Sequence, residues 1–488
     1  MDFLLILIRL FLNTNSQNTK IILMSATMDS ERFANYFRSK IVQVPLINMR
    51  EERNFIIEKK FLDDINSGLT KLISNYESPS ISETMMMLAA DIVFHHVKKD
   101  KKSSILVFLP GFYEIENFER VLLHKFDVMQ NFQLIILHSS LPPENQKLAF
   151  KHDNKPKIIL STNIAENSVT FPLVNVVVDF CLTKYLIASK DSNLASLKLN
   201  WSSRTSSEQR AGRTGRVCDG VAYHLVPREF FESEMPKWTE PEMMRVPLEQ
   251  VILKTKMLTN RSPKNFLAGA MDPPSYTSVR KSVLILKEIG AFQRNDEKGN
   301  FQDDDGELTY CGRILASLPC DVYIGKFIVL GYMFSVLKEA IVIGAGLSIN
   351  GSIFKFDYRK RLETYSNCLS WSDGSGSDLI AIFNAYTLWQ KSEANEAFKQ
   401  QNIRQHWCNR FNLDLKNLCE MKELIGEISY RLDENRMWHL SGDNYRPILD
   451  ENEKTMMLKI CAAGEFDQLS EISFEVFYTI NFFALSFK

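Results

Sequence analysis

The chain has 488 residues, of which 45% are hydrophobic and 24% are charged, and its formal net charge is −1. These fractions are ordinary for globular protein, and the length leaves room for roughly three or four domains. The near-zero charge excludes nucleic-acid binding by a general positive field, so any such contact has to come from local grooves and backbone donors.

The cysteine pattern and the apolar runs each exclude a class of protein. The eight cysteines are scattered, without a C-x-x-C pair or histidines at zinc spacing, which predicts reduced, mostly buried thiols and no metal site. The apolar run Met1–Leu12 is short and interrupted by Arg9, and Asp2 stands where a signal peptide has positive charge. We therefore expect a buried helix there and no membrane span.

The first part of the chain predicts one isolated strand and then a regular alternation. Lys20–Met24 indicates a short buried strand that ends at Ser25-Ala26-Thr27, and residues 48 to about 90 are interpreted as a connecting segment. Strands then alternate with the helix Tyr113–Phe126. The predicted strands are Ser104–Leu109, Leu134–Leu137, Lys157–Leu160 and Val174–Val178. This alternation of strands and helices predicts a doubly wound α/β domain with its ligands at the carboxyl ends of the strands.

Two further patterns follow. Apolar runs between Asp179 and Asn200, joined by polar residues 189–193, predict a β-hairpin that either protrudes or belongs to a sheet. After about residue 235 the apolar spacing becomes helical, and Gly290 and Gly299 are expected where helices or a turn end. The predicted helices are Glu249–Leu258, Val279–Ile289 and Tyr323–Leu337.

Polar residues follow three of the predicted strands. Ser161–Thr170 is rich in hydroxyl and amide side chains, which bind RNA phosphates and 2′-hydroxyls, although they equally fit a turn that caps the next helix. Gly111 either brings backbone amides close to a phosphate or forms a plain turn. Ser139 offers a hydroxyl, and Phe150 either covers an adenine face or packs in a core.

The segment Ser207–Arg216 carries the strongest chemical signal. Arg213 and Arg216 lie three residues apart, and Gly212 and Gly215 allow a ligand close to the backbone. Arginine binds phosphate oxygens in bidentate fashion and keeps its charge. An arginine supplied to a nucleoside triphosphate accelerates phosphoryl transfer by on the order of 10³–10⁵.

Taken in order, these segments resemble motifs III, IV, V and VI of the DEAH/RHA group of superfamily 2 RNA helicases, at residues 25–27, 105–111, 161–170 and 207–216. Within the group, Met1–Leu5, Ile22–Thr27 and Val178–Thr183 are most similar to the spindle-E branch. That branch consists of Tudor-domain-containing helicases of the piRNA pathway in germ cells.

The resemblance implies an α/β fold, in which a RecA-like parallel-sheet lobe precedes a mostly α-helical winged-helix and ratchet region. The implied domains are a remnant of a first RecA-like lobe (1–47), a linker (48–90), a second RecA-like lobe (91–234), a winged helix (235–300), a ratchet domain (301–430), and a divergent tail with the start of a truncated OB-fold (431–488).

The same resemblance assigns residues to roles. Arg213 and Arg216 would contact the γ-phosphate and Gln209 the attacking water, so these three are the catalytic candidates. The remaining candidates are Phe150, Ser168 and Gly212 for ATP, Gly111, Ser139, Thr162 and Asn163 for RNA, and Ser25 and Thr27 for coupling between lobes.

Two features of the family are absent from the sequence. Such enzymes use ATP and Mg²⁺, held by a P-loop and a D-E-x-H box, and neither pattern occurs in these 488 residues. We therefore expect a truncated helicase with no Mg²⁺ site of its own, which does not hydrolyse ATP alone. Pro172 stands near where many relatives carry an aspartate thought to contact ribose, which leaves sugar selectivity open.

The implied partners are RNA, the missing first lobe in cis and proteins of the piRNA pathway, and the implied location is cytoplasmic, in perinuclear germ granules. Two other functions stay open. The chain is either a short isoform that binds RNA or protein without catalysis, or a piece of a DEAH helicase of the splicing or RNA-decay type.

Overall fold

The computed structural model describes most of the chain. The described residues are 2–14, 19–24, 29–38, 44–47, 55–65, 78–100, 104–125, 132–138, 155–167, 174–188, 195–259, 261–296, 298–349, 351–355, 361–393, 395, 398, 400–435 and 451–466. The chain divides into two compact units, which consist of residues 1–188 with 195–246 and of residues 189–194 with 247–488.

The first unit contains eight strands among its described residues. They are β1 (Ile57–Lys60), β2 (Ser104–Phe108), β3 (Gln133–Leu137), β4 (Lys157–Ser161), β5 (Val174–Asp179), β6 (Leu182–Ala188), β7 (Ala195–Trp201) and β8 (Gly220–His224). Its helices are α1 (Asp2–Thr14), α2 (Ser30–Phe37), α3 (Leu62–Ile65), α4 (Glu83–Lys99), α5 (Phe112–Lys125), α6 (Ile164–Asn167), α7 (Arg204–Ala211), a π-helix (Phe230–Glu234) and α8 (Glu242–Arg245).

Six of these strands form one parallel sheet in the order β1-β8-β5-β2-β4-β3. Strand β2 lies at the centre and is buried along its whole length, as a strand covered on both faces has to be. Ile105 and Val107 point into one core with helices α4 and α5, whereas Leu106 and Phe108 point into the other with Ala165 of α6 and Ala211 of α7. The predicted doubly wound α/β fold is confirmed.

Strands β6 and β7 form a separate antiparallel hairpin, as the sequence predicts. They pair over seven residues from Leu182–Trp201 to Ala188–Ala195. Two contacts hold strand β6 against the rest of the unit. The Lys184 ammonium lies 2.9 Å from the Glu114 carboxylate of α5, and the Arg245 guanidinium donates to the carbonyl of Leu186 at 3.0 Å.

The second unit is helical, as predicted. Its helices are α9 (Glu249–Leu258), α10 (Pro263–Leu267), α11 (Tyr276–Glu288), α12 (Tyr310–Ser317), α13 (Val322–Met333), α14 (Leu337–Ser348), α15 (Arg361–Ser370), α16 (Asp378–Glu393), α17 (Gln401–Arg410), α18 (Leu415–Glu434) and α19 (Glu451–Phe466). Gly290 and Gly299 have φ of +78° and +82°, which suits the turns predicted there. Along the described helices, none combines the length and apolarity needed to cross a membrane.

The acidic turn at Asp303–Gly306 is held by cations from three helices. Arg280 lies 2.6 Å from Asp303, Lys264 lies 3.5 Å from Asp304, and Lys256 lies 2.9 Å from Asp305. The turn is therefore part of the packing of this unit, and its carboxylates are already paired.

Three predictions differ from the structure. Lys20–Met24 is not a buried strand, since it forms no regular element and Ile22 and Met24 are 79% and 88% exposed. No described strand pairs with it, and a lone strand leaves its backbone groups without partners. The predicted connecting segment contains Ile57–Lys60, which joins the sheet as β1. The predicted helix Tyr323–Leu337 ends at Met333, and a new helix begins at Leu337. The division into winged-helix, ratchet and tail domains stays a prediction.

Candidate nucleotide and RNA site

The carboxyl ends of the parallel strands meet in one row. Phe108 pairs with Ser161 and with Asp179, and Asp179 pairs with His224. Because these are the last residues of β2, β4, β5 and β8, the loops that follow them emerge at the same edge. A parallel sheet binds its ligands at this edge.

Two of the predicted RNA-binding segments emerge there. Thr162 is buried, with its N–H donating to the carbonyl of Leu137 at 3.4 Å, whereas the next residue, Asn163, is exposed. Gly111 begins the turn into α5, and a Cβ at this position would lie 2.8 Å from Glu114 Oε2 and 2.9 Å from Lys184 Nζ. The exposed Asn163 amide is therefore the group open to a ligand, whereas Gly111 and Thr162 are buried and Gly111 is covered by Glu114 and Lys184.

Helix α7 carries the arginine-rich segment. The hydroxyl of Ser203 accepts from the N–H of Ser206 at 3.1 Å and caps the first turn. The helix ends at Ala211, and Gly212 caps it with its N–H on the carbonyl of Glu208 at 2.9 Å. Gln209 is half-buried, within the last turn.

The two candidate arginine fingers lie just beyond the end of α7. The Arg213 guanidinium donates through Nη2 to the carbonyl of Glu166 in α6, and Arg216 Nε donates to the carbonyl of Gly212 at 3.2 Å. Partial burial lowers the pKa of Arg213 from its ordinary value, and the positive charge of Arg216 adds to this effect. A bound anion would offset both effects on Arg213. Its negative charge favours the charged form of the buried guanidinium and reduces the repulsion between Arg213 and Arg216.

A third arginine, Arg210, has a different role that the sequence pattern does not reveal. It is 2% exposed and donates through Nη1 to Asp179 Oδ1 at 2.8 Å and to the carbonyl of Leu182 at 3.1 Å. Its Nε lies 3.2 Å from Glu166 Oε2. Arg210 therefore joins α7 to the end of β5, to the base of the hairpin and to α6.

The electrostatics of this buried pair are strongly coupled. Burial opposes ionisation of Asp179, but the charge of Arg210, together with the interaction with His224, overcomes it and holds the pKa of the carboxyl well below its ordinary value. Burial likewise works against the charged form of Arg210, and Asp179 and Glu166 more than offset it, so that the pKa of Arg210 is raised. Both groups are charged at neutral pH.

Cys181 and His224 complete the buried cluster. Cys181 has φ of +57°, in the left-handed region, and its N–H donates to Asp179 Oδ1 at 2.9 Å. Burial, together with the charge of Asp179, raises the pKa of the Cys181 thiol well above its ordinary value. The sequence pattern misses this cluster because its members are far apart along the chain.

The far end of the arginine segment reaches the opposite edge of the sheet. The Thr214 hydroxyl donates to the carbonyl of Val174, the first residue of β5, at 2.8 Å. Gly215 has φ of +69°, and a Cβ there would lie 2.4 Å from Cγ1 of Ile57 in β1. Lys59 of β1 also pairs with Glu208 of α7. The segment is thus fixed at both ends of the sheet.

Five of the predicted site residues lie outside the described residues. They are Ser25, Thr27, Ser139, Phe150 and Ser168. Their proposed roles in coupling, RNA contact and ATP contact rest on the sequence. The structure brings Gln209, Gly212, Arg213 and Arg216 together at the end of α7, and Arg213 reaches α6, which begins directly after Asn163.

The parallel sheet, the polar loops at its carboxyl edge and the arginines at the end of α7 define a RecA-like lobe of the helicase type. Comparison with known proteins agrees, since residues 87–218 match the family described as the helicase conserved C-terminal domain.

The chain is similar over 96% of its length to the probable ATP-dependent RNA helicase spindle-E of Culex quinquefasciatus, with 42% identity, and to that of Anopheles gambiae, with 40%. It is 36% identical over the same share to the ATP-dependent RNA helicase TDRD9 of Mus musculus. The chain is therefore similar, over nearly all of its own length, to one part of the spindle-E and TDRD9 helicases. It spans about a third of the length of these relatives, covering 34%, 33% and 35% of them.

Proposed function

We propose that this chain supplies the arginine side of an ATP site and one wall of an RNA groove to an ATP-dependent RNA helicase. One observation carries the proposal. The guanidinium of Arg213 bonds to the backbone of α6, the same short helix that follows the exposed polar residue Asn163. The proposed phosphate-binding residue Arg213 and the proposed RNA-binding residue Asn163 are thus connected through α6.

The nucleotide side follows from the arginines. Arg213 and Arg216 each donate to a backbone carbonyl in the present structure, and phosphate oxygens are stronger acceptors for the same N–H groups. The two arginines would stabilise charge on the transferred phosphoryl group, and Gln209 would orient the attacking water. Gly212 leaves room for the ligand beside them.

The RNA side follows from the loops at the sheet edge. The exposed Asn163 amide would hold phosphates and 2′-hydroxyls without reading bases. The β6–β7 hairpin beside these loops would separate or steer strands. Such contacts suit a protein that moves along RNA of any sequence.

ATP and Mg²⁺ are the cofactors that this proposal implies. The donors at the end of α7 are cationic and fit phosphate, and they do not fit a metal ion. Because the sequence has no P-loop and no D-E-x-H box, we propose that the Mg²⁺ ion and most of the triphosphate are held by another helicase lobe in cis.

The biological role that we propose follows from the relatives. Their names, spindle-E and TDRD9, favour piRNA-mediated transposon silencing in the germline, in cytoplasmic perinuclear granules and together with proteins of that pathway. They do not favour the splicing or RNA-decay alternative.

The test is ATP hydrolysis by the purified 488-residue chain. We expect no RNA-stimulated turnover above background, because arginine fingers without a P-loop and a metal site have no bound triphosphate to act on. The control is the same chain mixed with a separately purified first lobe of a relative, in which activity that requires Arg213 would show that the arginines are competent.

The outcome that contradicts the proposal is equally specific. Turnover by the chain alone, abolished in Arg213→Ala and retained in Arg228→Ala, would show that these residues hold a complete ATP site. Arg228 is a suitable matched control because it is a surface arginine that pairs with Asp64 at 2.9 Å. It follows β8 in the sequence and is not part of the arginine-rich segment.

A non-catalytic binding module is the second candidate. It is favoured by the large apolar side chains that the first unit exposes, among them Ile22 at 79%, Met24 at 88% and Ile47 at 85%. Exposed apolar side chains mark a protein interaction site where they form a contiguous patch. RNA affinity of the chain that is the same with and without ATP, and no gain of turnover with a first lobe, would favour this function.

A further inference from the structure

Three side-chain atoms of the buried cluster surround one point. Cys181 Sγ lies 3.7 Å from Asp179 Oδ2 and 3.7 Å from His224 Nδ1, and His224 Nδ1 lies 3.8 Å from Asp179 Oδ2. All three residues are fully buried. The triangle is nearly equilateral and contains one sulfur, one nitrogen and one oxygen.

The spacing fits a small transition-metal ion better than it fits hydrogen bonds. An ion at the centre of this triangle would lie about 2.2 Å from each atom, against about 2.0–2.2 Å for zinc bonds to nitrogen and oxygen and about 2.3 Å for zinc to sulfur. By contrast, the 3.8 Å between His224 Nδ1 and Asp179 Oδ2 is too long for a hydrogen bond.

His224 is the second, independent observation. Its ring is completely buried, Nδ1 makes a long contact of 3.7 Å with Cys181 Sγ, and within the described part of the chain Nε2 has no hydrogen-bond partner. The ring lies between Phe61 and Phe231, at centroid distances of 5.2 and 5.0 Å. A buried Nδ1 whose contacts are a thiol at 3.7 Å and a carboxylate at 3.8 Å is poorly satisfied, and a metal ion between these atoms would supply the missing interaction.

We propose that Asp179 Oδ2, Cys181 Sγ and His224 Nδ1 bind a structural zinc ion at the carboxyl edge of the sheet. Zinc takes cysteine, histidine and carboxylate ligands in tetrahedral geometry. The fourth position falls to a water or to Ser207, whose hydroxyl hydrogen-bonds the Cys181 thiol.

The neighbouring Arg210 is compatible with this ion because the two oxygens of Asp179 are divided between them. Oδ1 accepts from Arg210 Nη1 at 2.8 Å and from the N–H of Cys181 at 2.9 Å, which leaves Oδ2 for the metal. With Glu166, the cluster without metal holds two carboxylates and one guanidinium, a net buried charge of −1. Zinc with a thiolate makes this sum zero, and the thiol proton leaves to solvent when the ion binds.

The site would join the end of β5, the first residue of the hairpin connection and the end of β8. On one side it is packed by the apolar residues Phe61, Phe230, Phe231 and Met235. The sequence shows no zinc pattern because Cys181 and His224 lie 43 residues apart and meet only through the pairing of β5 with β8.

The experiment is metal analysis of the intact purified chain, followed by refolding in cobalt. We expect about one equivalent of zinc after dialysis, and in the Co²⁺-refolded protein a sulfur-to-cobalt charge-transfer band. The key variant is Cys181→Gly, which removes the thiol and accepts the φ of +57° without backbone strain. His224→Phe is the second variant, since it keeps an aromatic ring between Phe61 and Phe231.

Both variants should lose the zinc and the cobalt band, while Cys320→Ser, at a buried cysteine of the other unit, should keep them. Less than about a tenth of an equivalent of zinc, together with no cobalt band after refolding, would overturn the proposal. Zinc retained in both Cys181→Gly and His224→Phe would also overturn it, because the ion would then belong to other cysteines. The result does not depend on ATP hydrolysis or RNA binding.

Discussion

Three arginines of one short segment differ because of what surrounds each of them. Arg210 is buried against two carboxylates, Arg213 is half-buried on a backbone carbonyl, and Arg216 is exposed. A buried ion pair of the first kind has no solvent to replace a lost partner, whereas the second and third can exchange a carbonyl for a ligand. The buried Arg210 therefore fixes the helix that ends beside the other two arginines.

His96 illustrates how burial makes a single residue sensitive to pH. Its Nε2 lies 2.9 Å from the hydroxyl of Tyr223. Burial, together with the positive charges of His95, Lys99 and Lys60, lowers its pKa from 6.5 to about 4. The unfolded chain therefore binds this proton more tightly than the folded chain does between these two values.

We predict that the free energy of unfolding falls as the pH drops from about 6.5 toward 4, and that His96→Gln reduces this dependence. The measurement is urea denaturation at pH 7.5, 6 and 5. His124→Gln is the control, because His124 is exposed at the end of α5. An unchanged pH dependence in His96→Gln would show that other groups are responsible.

For single residues, the sequence indicates which side chains could bind phosphate, but it does not show which other residues surround them. Gln209, Arg213 and Arg216 lie at the end of α7, and their roles stay a prediction from the sequence. The burial of Arg210 was not predictable, because its partners Glu166 and Asp179 lie 44 and 31 residues away in sequence. The cluster of Cys181 and His224 was missed for the same reason.

Among the elements, the turn after α7 depends on a glycine for two separate reasons. Gly215 has a positive φ, and the space that a side chain would fill is occupied by Ile57 of the edge strand. Gly299 has a similarly positive φ, but no described atom lies within 4 Å of its missing Cβ. A substitution at Gly299 therefore introduces backbone strain alone, whereas one at Gly215 adds a steric clash to the same strain.

We predict that Gly299→Ala costs about 1 kcal/mol from the backbone alone, and that Gly215→Ala costs about 2–4 kcal/mol because overpacking adds to the strain. Equilibrium denaturation of the two variants measures the difference. Adding Ile57→Ala to Gly215→Ala should recover part of the loss, since it removes the two nearest carbon atoms. Equal losses of stability in Gly215→Ala and Gly299→Ala would contradict a steric clash with Ile57.

The central strands and the helices were predictable because their patterns are long or strongly apolar, as in Ser104–Phe108 and Glu249–Leu258. Strand β1 was not, since Ile57–Lys60 has three charged residues in four and is a strand only through its pairing with β8. Lys20–Met24 shows the reverse error, because an apolar run predicts a strand only where neighbouring strands pair with it.

For the whole molecule, the net charge of −1 limits how strongly RNA binding depends on salt. Each phosphate that a protein neutralises on a single strand contributes about −0.7 to the slope of log affinity against log salt. We predict a slope of about −2 or shallower, because the proposed contacts are mainly uncharged groups.

Fluorescence anisotropy with a labelled single-stranded RNA, at salt concentrations of roughly 50–300 mM, measures this slope. Asn163→Lys should steepen it by about 0.7 by adding one phosphate contact, while Lys298→Asn, in the other unit, should leave it unchanged. A slope steeper than about −4 would indicate an extended basic surface instead.

The β6–β7 hairpin has a mechanical consequence. Its ladder hydrogen bonds run between its own two strands, so it is separate from the parallel sheet. Strand β6 is joined to the lobe at Leu182, Lys184 and Leu186. Because the Leu182 carbonyl accepts from Arg210 of α7, a displacement of this hairpin would be passed directly to that helix.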